Sequence, residues 1–227
     1  MEIDSNPEHG SLDHINTWVF DLDNTLYSST SRLFDQISER IGQFIAQNLN
    51  VALTEAKIIQ KSYFHNHGTT LRGLMLEHNV DAKYFLDYVH NIDFSPLKID
   101  ETLNKALYSL NGKKIIFTNA DVSYSRKVLS HIGISHHFEE IYDIAAANYI
   151  PKPYQEAYDI FFKKYDFQPD RSIFFEDILR NLGPAKKMGM TTVWIKNNDL
   201  WELPGNEGII PDYQTDDLPK WLTSLKQ

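Results

Sequence analysis

The sequence predicts a doubly wound α/β fold, with a Rossmann-like parallel sheet and an all-helical cap inserted after the first strand. Short apolar runs recur along the chain without polar alternation, and helical patterns lie between them. Residues 29–95 contain helical patterns but no convincing strand. Continuous apolar runs are typical of strands buried on both faces of a parallel sheet, and strand–helix alternation is typical of doubly wound folds.

The predicted strands are brief and rich in β-branched or aromatic residues, as expected for buried strands. In chain order they are TWVF (17–20), KIIF (114–117), EIYDI (140–144), SIFF (172–175) and TTVWI (191–195). The C-terminal stretch 206–227 is expected to add a short strand or loop and a final helix.

Helices are predicted between these strands. A leucine-rich face stops at Asn111-Gly112, which is a helix-ending signal. A second helix has Ser123 as a candidate N-cap and ends at Gly133. Two further helices are predicted over residues 154–165 and 179–188.

Four helices are predicted in the insertion. An apolar stripe that begins at Leu33 marks the first, Thr54 is a candidate N-cap of the second, and Leu71 and Phe85 lie in the third and fourth. Loops that leave the carboxyl ends of α/β strands border the binding crevice, so the insertion should cover that crevice. The predicted organisation is a disordered lead-in at 1–14, an α/β catalytic core at 15–28 and 96–227, and a helical cap domain at 29–95.

The composition restricts the classes of function. The chain has 227 residues and a net charge of −9, which argues against general binding to nucleic acid or to an anionic membrane. It has no cysteine, which excludes disulfides, a thiol nucleophile and thiolate metal sites. No apolar run is long enough for a transmembrane helix, and the polar N-terminal stretch does not resemble a secretory signal. We therefore expect a cytoplasmic protein.

Polar residues follow four of the predicted strands, at the end where parallel sheets bind ligands. In chain order they are Asp21 and Asp23, Thr118 and Asn119, Lys152, and Glu176 and Asp177. Taken singly, each could be an ordinary turn or cap residue. Equivalent placement after four different strands indicates a shared site instead.

Clustered carboxylates repel one another and need a compensating cation. Carboxylate oxygens at this density suit Mg²⁺, which also accepts water and substrate phosphate as ligands. The cation would let an anionic nucleophile approach an anionic phosphate. The pattern therefore predicts Mg²⁺-assisted phosphoryl transfer from a small phosphorylated substrate.

The polar residues that follow these four strands resemble the motifs of the haloacid dehalogenase superfamily of phosphohydrolases. Asp-Leu-Asp-Asn-Thr matches the first motif, Thr118-Asn119 the second, Lys152-Pro153 the third and Glu176-Asp177 the fourth. The resemblance spans residues 17 to about 195. It implies a phosphatase, because the similar dehalogenases lack an acid at the position of Asp23.

The resemblance also implies the roles of the matching residues. Asp21 would be the nucleophile, and Asp23 the general acid that then activates water. Thr118 and the Asn119 main-chain N–H would bind phosphate oxygens, and Lys152 would bind substrate and balance charge. Magnesium would be held by Asp21, the Asp23 main-chain carbonyl and Asp177, with Glu176 ligating directly or through water.

Finer details resemble the pyrimidine 5′-nucleotidase branch, namely DLDNTLY, HGTTLRGL (67–74) and FFEDILRNL. That resemblance implies hydrolysis of UMP or CMP, with Asn181 orienting the acidic loop and Lys152. Arg72 is the candidate cap contact to substrate, since a guanidinium suits phosphate, ribose or base acceptors.

Two alternatives remain at this stage. One is a phosphatase for sugar phosphates or phosphoglycolate. The other is a non-catalytic α/β module that binds a nucleotide or a protein in a regulatory role. The presence of both Asp21 and Asp23 argues against the second, since binding alone does not require the pair.

Overall fold

The computed structural model describes residues 12–197 and 205–225. Within them, six parallel strands form one sheet in the order β3-β2-β1-β4-β5-β6. The strands are β1 (Thr17–Phe20), β2 (Lys113–Phe117), β3 (Glu140–Tyr142), β4 (Ser172–Glu176), β5 (Thr191–Ile195) and β6 (Tyr213–Thr215). This is the doubly wound order, and it confirms the predicted fold class. The predicted lead-in falls mainly on residues 1–11, which lie outside the described part of the chain.

Four α-helices lie between β1 and residue 95, and the described residues 29–95 contain no strand. They are α1 (Leu33–Leu49), α2 (Leu53–His67), α3 (Thr70–His78) and α4 (Ala82–Val89). The remaining α-helices alternate with the strands up to β5, as predicted, and the last one follows β6. They are α5 (Glu101–Ser109), α6 (Val122–His131), α7 (Gln155–Tyr165), α8 (Leu179–Lys187) and α9 (Leu218–Ser224).

Two predicted N-caps are wrong. Helix α6 is capped by Asp121, whose Oδ1 accepts a hydrogen bond from the Tyr124 N–H at 2.9 Å, and Ser123 lies inside the first turn. Aspartate and serine are comparable N-caps, and here the side chain of Asp121 makes the capping bond, so the helix starts two residues earlier than predicted. Helix α2 begins at Leu53 with Ala52 as its N-cap, and Thr54 is its second residue. Since α1 ends at Leu49 and its C-cap Asn50 is left-handed, α2 starts only a few residues later.

Successive residues of the central strands enter different hydrophobic clusters, one on each face of the sheet. In β1, Trp18 and Phe20 join one cluster and Val19 joins the other. The first cluster packs under α5, α6 and α9 and continues into the helices of residues 33–89. The second packs against α7 and α8. The strands are therefore buried on both faces, which is why their sequences are apolar without alternation.

None of the helices in the described part of the chain has the length and apolar character that a membrane crossing requires.

Gly112 permits the close approach of the chain to β1 at the start of β2. Its φ is 97°, and a Cβ at this position would lie 2.2 Å from the Asn16 carbonyl oxygen. That oxygen accepts the hydrogen bond of the Lys113 N–H at 2.9 Å, so the backbone cannot yield without loss of the β1–β2 pairing.

We expect Gly112→Ala to lower the free energy of unfolding more than Gly189→Ala does. Gly189 also has a positive φ, but a Cβ there would meet nothing within 4 Å. Gly189→Ala should therefore lower the free energy of unfolding only by the cost of a positive φ in a residue that has a Cβ, about 1–2 kcal/mol. Urea unfolding followed by tryptophan fluorescence measures both, and equal losses would show that contact with Asn16 is unimportant.

Candidate active site

The carboxyl ends of β1, β2 and β4, together with the loop after β3, border one cavity of about 330 Å³. All seven residues predicted at the strand ends line it: Asp21, Asp23, Thr118, Asn119, Lys152, Glu176 and Asp177. The β1–β4 ladder continues one residue past Phe20, because the Asp21 N–H donates to the Phe175 carbonyl at 2.9 Å. This places Asp21 beside Glu176, the last residue of β4.

The Lys152 ammonium is the centre of the site. It is 1% exposed, and its Nζ donates to Asp21 Oδ1 at 2.7 Å, Glu176 Oε2 at 2.6 Å and the Phe117 carbonyl at 2.8 Å. These partners match the three N–H donors of an ammonium. Burial lowers the pKa of Lys152, but the charges of Asp21 and Glu176 outweigh it and raise the pKa above its ordinary value.

Asn119 fixes the main chain of Lys152. Its Oδ1 accepts the Lys152 N–H at 2.9 Å, and its Nδ2 donates to the Lys152 carbonyl at 3.3 Å. The neighbouring Thr118 is 2% exposed, and its hydroxyl oxygen accepts the Ala120 N–H at 3.0 Å. The hydroxyl hydrogen of Thr118 can therefore be donated to another group.

Three carboxylates meet at the rim of the sheet. Asp21, Glu176 and Asp177 each offer an oxygen within 4.8 Å of the others. Burial, together with the charge of Glu176, raises the pKa of Asp21 to about 8 and also raises the pKa of Asp177 well above its ordinary value. Facing the one ammonium of Lys152, these carboxylates carry two uncompensated negative charges when ionised. An oxygen-rich anionic set of this kind fits a hard divalent cation.

The members of this carboxylate cluster differ in the hydrogen bonds they already make. Glu176 gives one oxygen to Lys152 and the other to the Ile178 N–H at 3.1 Å. Asp177 Oδ2 accepts from the Asn197 side chain at 3.0 Å, and its carbonyl accepts from Trp194 at 2.9 Å. Glu176 is therefore chiefly the partner of Lys152. Asp177 is held in place by hydrogen bonds from Trp194 of β5 and from Asn197, which follows β5.

Asp23 lies outside that carboxylate cluster, in a pocket of aromatic hydroxyls. Both Tyr27 and Tyr124 donate to its Oδ1 at 2.6 Å. Burial raises the pKa of Asp23, and the two hydroxyl groups partly oppose that shift. The sequence analysis missed both tyrosines. Tyr27 lies four residues after Asp23, just beyond the first motif, whereas only the fold brings Tyr124 to the same carboxylate.

Two predicted site residues have different surroundings from those expected. Arg72 is not among the described residues that line the cavity, and its guanidinium lies 4.7 Å from the centre of the Tyr154 ring. The geometry thus gives no support to Arg72 as a substrate contact. Asn181 lines the cavity, and its N–H and carbonyl bond to Ile178 and Tyr158. Its orienting role toward Lys152 stays a prediction.

The chain belongs to the haloacid dehalogenase-like hydrolases, because the model of that family matches residues 15–189. Among curated proteins, it resembles the glyceraldehyde 3-phosphate phosphatase of Pyrococcus furiosus, with 27% identity over 92% of each chain. The phosphatase of the same name from Methanocaldococcus jannaschii is 22% identical over 92% of this chain and 96% of its own. Phosphate metabolism protein 8 of Saccharomyces cerevisiae is 25% identical over 76% of this chain, and the match spans 59% of the yeast protein.

Solved structures share the fold. The magnesium-bound HAD-hydrolase YfnB of Bacillus subtilis superposes with a TM-score of 0.60 and 16% identity, over 94% of this chain and 99% of its own. A haloacid dehalogenase-like hydrolase of Streptococcus pneumoniae gives a TM-score of 0.60 and 17% identity, over 93% and 98% of the two chains.

In EDTA, we expect the free energy of unfolding to rise as the pH falls from about 8 toward 5. The pKa of Asp21 is about 8 in the folded protein, above its ordinary value of 3.8 in an unfolded chain. The folded state therefore binds a proton that the unfolded state releases, and stability is lost as the pH rises through this window. Urea unfolding at a series of pH values measures the slope.

Asp21→Asn should reduce this pH dependence, because the amide does not titrate, while Asp23 and Asp177, whose pKa values are also raised, keep part of the slope. The exposed Asp170→Asn variant controls for the loss of one negative charge and should keep the wild-type slope. Identical slopes for the wild type and Asp21→Asn would contradict the assignment.

Proposed function

We propose that this protein is a Mg²⁺-dependent phosphomonoesterase for small sugar phosphates that acts through an aspartyl-phosphate on Asp21. The observation that carries the proposal is the buried Asp21–Lys152–Glu176 bridge, with Asp23 and Asp177 on the same cavity. Membership of the hydrolase family and the phosphatase names of relatives aligned over most of the chain support the reaction class.

Asp21 is well suited to be the nucleophile. One of its oxygens is held by Lys152, and the Thr25 hydroxyl lies 3.4 Å from the other. In the first step an Asp21 oxygen bonds to phosphorus as the ester P–O bond breaks. The leaving oxygen keeps the bonding electron pair and takes a proton from Asp23.

The second step returns the site to its starting state. Asp23 accepts a proton from a water molecule, whose oxygen attacks the phosphorus of the aspartyl-phosphate. The bond between phosphorus and Asp21 breaks, which releases inorganic phosphate and the Asp21 carboxylate. Thr118 and the Asn119 N–H are the proposed donors to the phosphate oxygens.

The carboxylate set fits Mg²⁺ as the resident cation. Asp21, Asp177 and the Asp23 carbonyl are the proposed ligands, and Glu176 is proposed to hold Lys152. Bound Mg²⁺ would supply the positive charge that lets a carboxylate approach a phosphate ester. The magnesium bound to the structural neighbour YfnB supports this choice.

The helices of residues 29–95 are proposed to form a cap domain over this site. Side chains of α1, α2 and α4, among them Phe34, Lys61 and Phe85, line the same cavity as the strand ends. Such a cap selects the leaving group, because the phosphate is held by the core.

Sugar phosphates are the first candidate substrates, since relatives named glyceraldehyde 3-phosphate phosphatase align over almost the whole chain. Nucleoside monophosphates are the second. The observation that favours them is the aromatic cap wall, where Phe34 is 38% exposed and lines the cavity with Phe64. Exposed aromatic faces of this kind can stack on a base.

We expect Asp21→Asn to lower the release of phosphate from p-nitrophenyl phosphate by at least about 10³-fold, because the amide is not a nucleophile. EDTA should abolish wild-type turnover, and Mg²⁺ should restore it. Asp170→Asn is the charge-matched control and should retain activity. Equal rates in EDTA and in Mg²⁺ would remove the metal from the mechanism, and an active Asp21→Asn would remove the nucleophile.

We expect glyceraldehyde 3-phosphate or hexose phosphates to give higher kcat/KM than UMP and CMP in a panel that includes phosphoglycolate. A preference for UMP or CMP, lowered by Phe34→Ala, would favour the nucleotidase instead. Failure to release phosphate from any ester would contradict the enzyme proposal and favour a binding module.

A further inference from the structure

Asp23 is held by two hydroxyl groups that come from distant parts of the chain. Tyr27 follows the first strand, whereas Tyr124 belongs to α6, and both donate to the same oxygen, Oδ1, at 2.6 Å. Their own oxygens lie 3.4 Å apart. Within the described part of the chain, Oδ2 of Asp23 accepts no hydrogen bond, and Asp23 lines the cavity. The carboxylate therefore presents Oδ2 to the site.

The position of Tyr124 depends on a residue that follows α4. His90 stacks on the Tyr124 ring, with centroids 4.2 Å apart and planes 18° from parallel. The His90 Nδ1 pairs with Asp121 Oδ2, and Asp121 caps the helix that carries Tyr124. His90 also lines the cavity. A side chain of the proposed cap thus braces the residue that holds Asp23.

We propose that Tyr27 and Tyr124 are positioning residues that fix Asp23 through Oδ1, so that Oδ2 exchanges the proton with the leaving group, and that His90 braces Tyr124. This inference rests on the proposed phosphatase function. At neutral pH each phenol carries one hydrogen and donates it, so both hydrogen bonds run toward the carboxylate. Two short bonds to a charged oxygen restrict rotation of the carboxyl group, which would otherwise be free to turn Oδ2 away.

The leaving group provides the test. Departure of an alkoxide, as from 2-glycerol phosphate, needs a proton from Asp23, whereas p-nitrophenolate departs without one. The first irreversible step determines kcat/KM, so this parameter reports on leaving-group departure rather than on hydrolysis of the aspartyl-phosphate. A misplaced acid should therefore reduce kcat/KM for the alkyl ester selectively.

We expect Tyr124→Phe and Tyr27→Phe each to lower kcat/KM for 2-glycerol phosphate by about 10-fold or more, part of the roughly 10²–10⁴ that acid catalysis contributes. The value for p-nitrophenyl phosphate should change by less than about 3-fold. Tyr142→Phe is the matched control. It removes a buried hydroxyl that bonds to the Ala157 carbonyl in the core, and it should affect neither ester selectively.

His90→Ala should produce the same selective loss, to a smaller extent, because it leaves both hydroxyl groups in place. This variant also tests the proposal without altering a buried hydroxyl. Equal losses on both esters, or no loss on either, would overturn the positioning role. Wild-type protein that hydrolyses neither ester in Mg²⁺ would instead overturn the phosphatase proposal, and the positioning role with it.

Discussion

The burial of the Lys152 ammonium between Asp21 and Glu176 is the interaction on which the rest of the site depends. An isolated ammonium loses several kcal/mol of hydration when it is buried, and the loss is recovered only if its N–H groups find oxygens in good geometry. Here the acceptors are Asp21, which directly follows β1, and the last residues of β2 and β4, while Asn119 holds the main chain of the lysine. The bridge joins the strand ends, yet it leaves the carboxylates with excess negative charge when they are ionised, and that excess is what a divalent cation would offset.

Contacts on two sides of the cavity link the helices of residues 29–95 to the core. On one side, Arg180 of α8 donates to the Phe64 carbonyl at 3.0 Å. Nearby, a Cβ at Gly68 would lie 3.2 Å from the Lys152 carbonyl. On the other side, His90 stacks on Tyr124. Movement of these helices would therefore displace both the loop that carries Lys152 and the carboxyl group of Asp23.

The strands could be predicted from the sequence because the burial that determines them leaves a pattern within a few consecutive residues. A strand buried on both faces must be apolar throughout, so TWVF and TTVWI marked β1 and β5 at their observed bounds. Helix starts were less readable, because several residues near α6 could act as a cap. Asp121 was selected there over Ser123, and its second oxygen also serves as the partner of His90. The surroundings of Arg72 could not be predicted, because a helical pattern does not tell whether a guanidinium points toward a cavity or lies over the ring of Tyr154.

The sheet, the helical insertion and the acidic and basic residues that meet at the strand ends could all be predicted from the amino-acid sequence, since parallel strands gather their carboxyl ends at one edge. How those charges are shared became clear only from the folded chain. In the folded chain, Glu176 accepts a hydrogen bond from Lys152, and two tyrosine hydroxyl groups donate to Asp23. His90 stacks on a tyrosine of α6. These contacts join residues far apart in the chain, with spacings that follow no periodic rule. They depend on how the helices after β1 pack on the sheet, and that packing cannot be predicted from any single segment of the sequence.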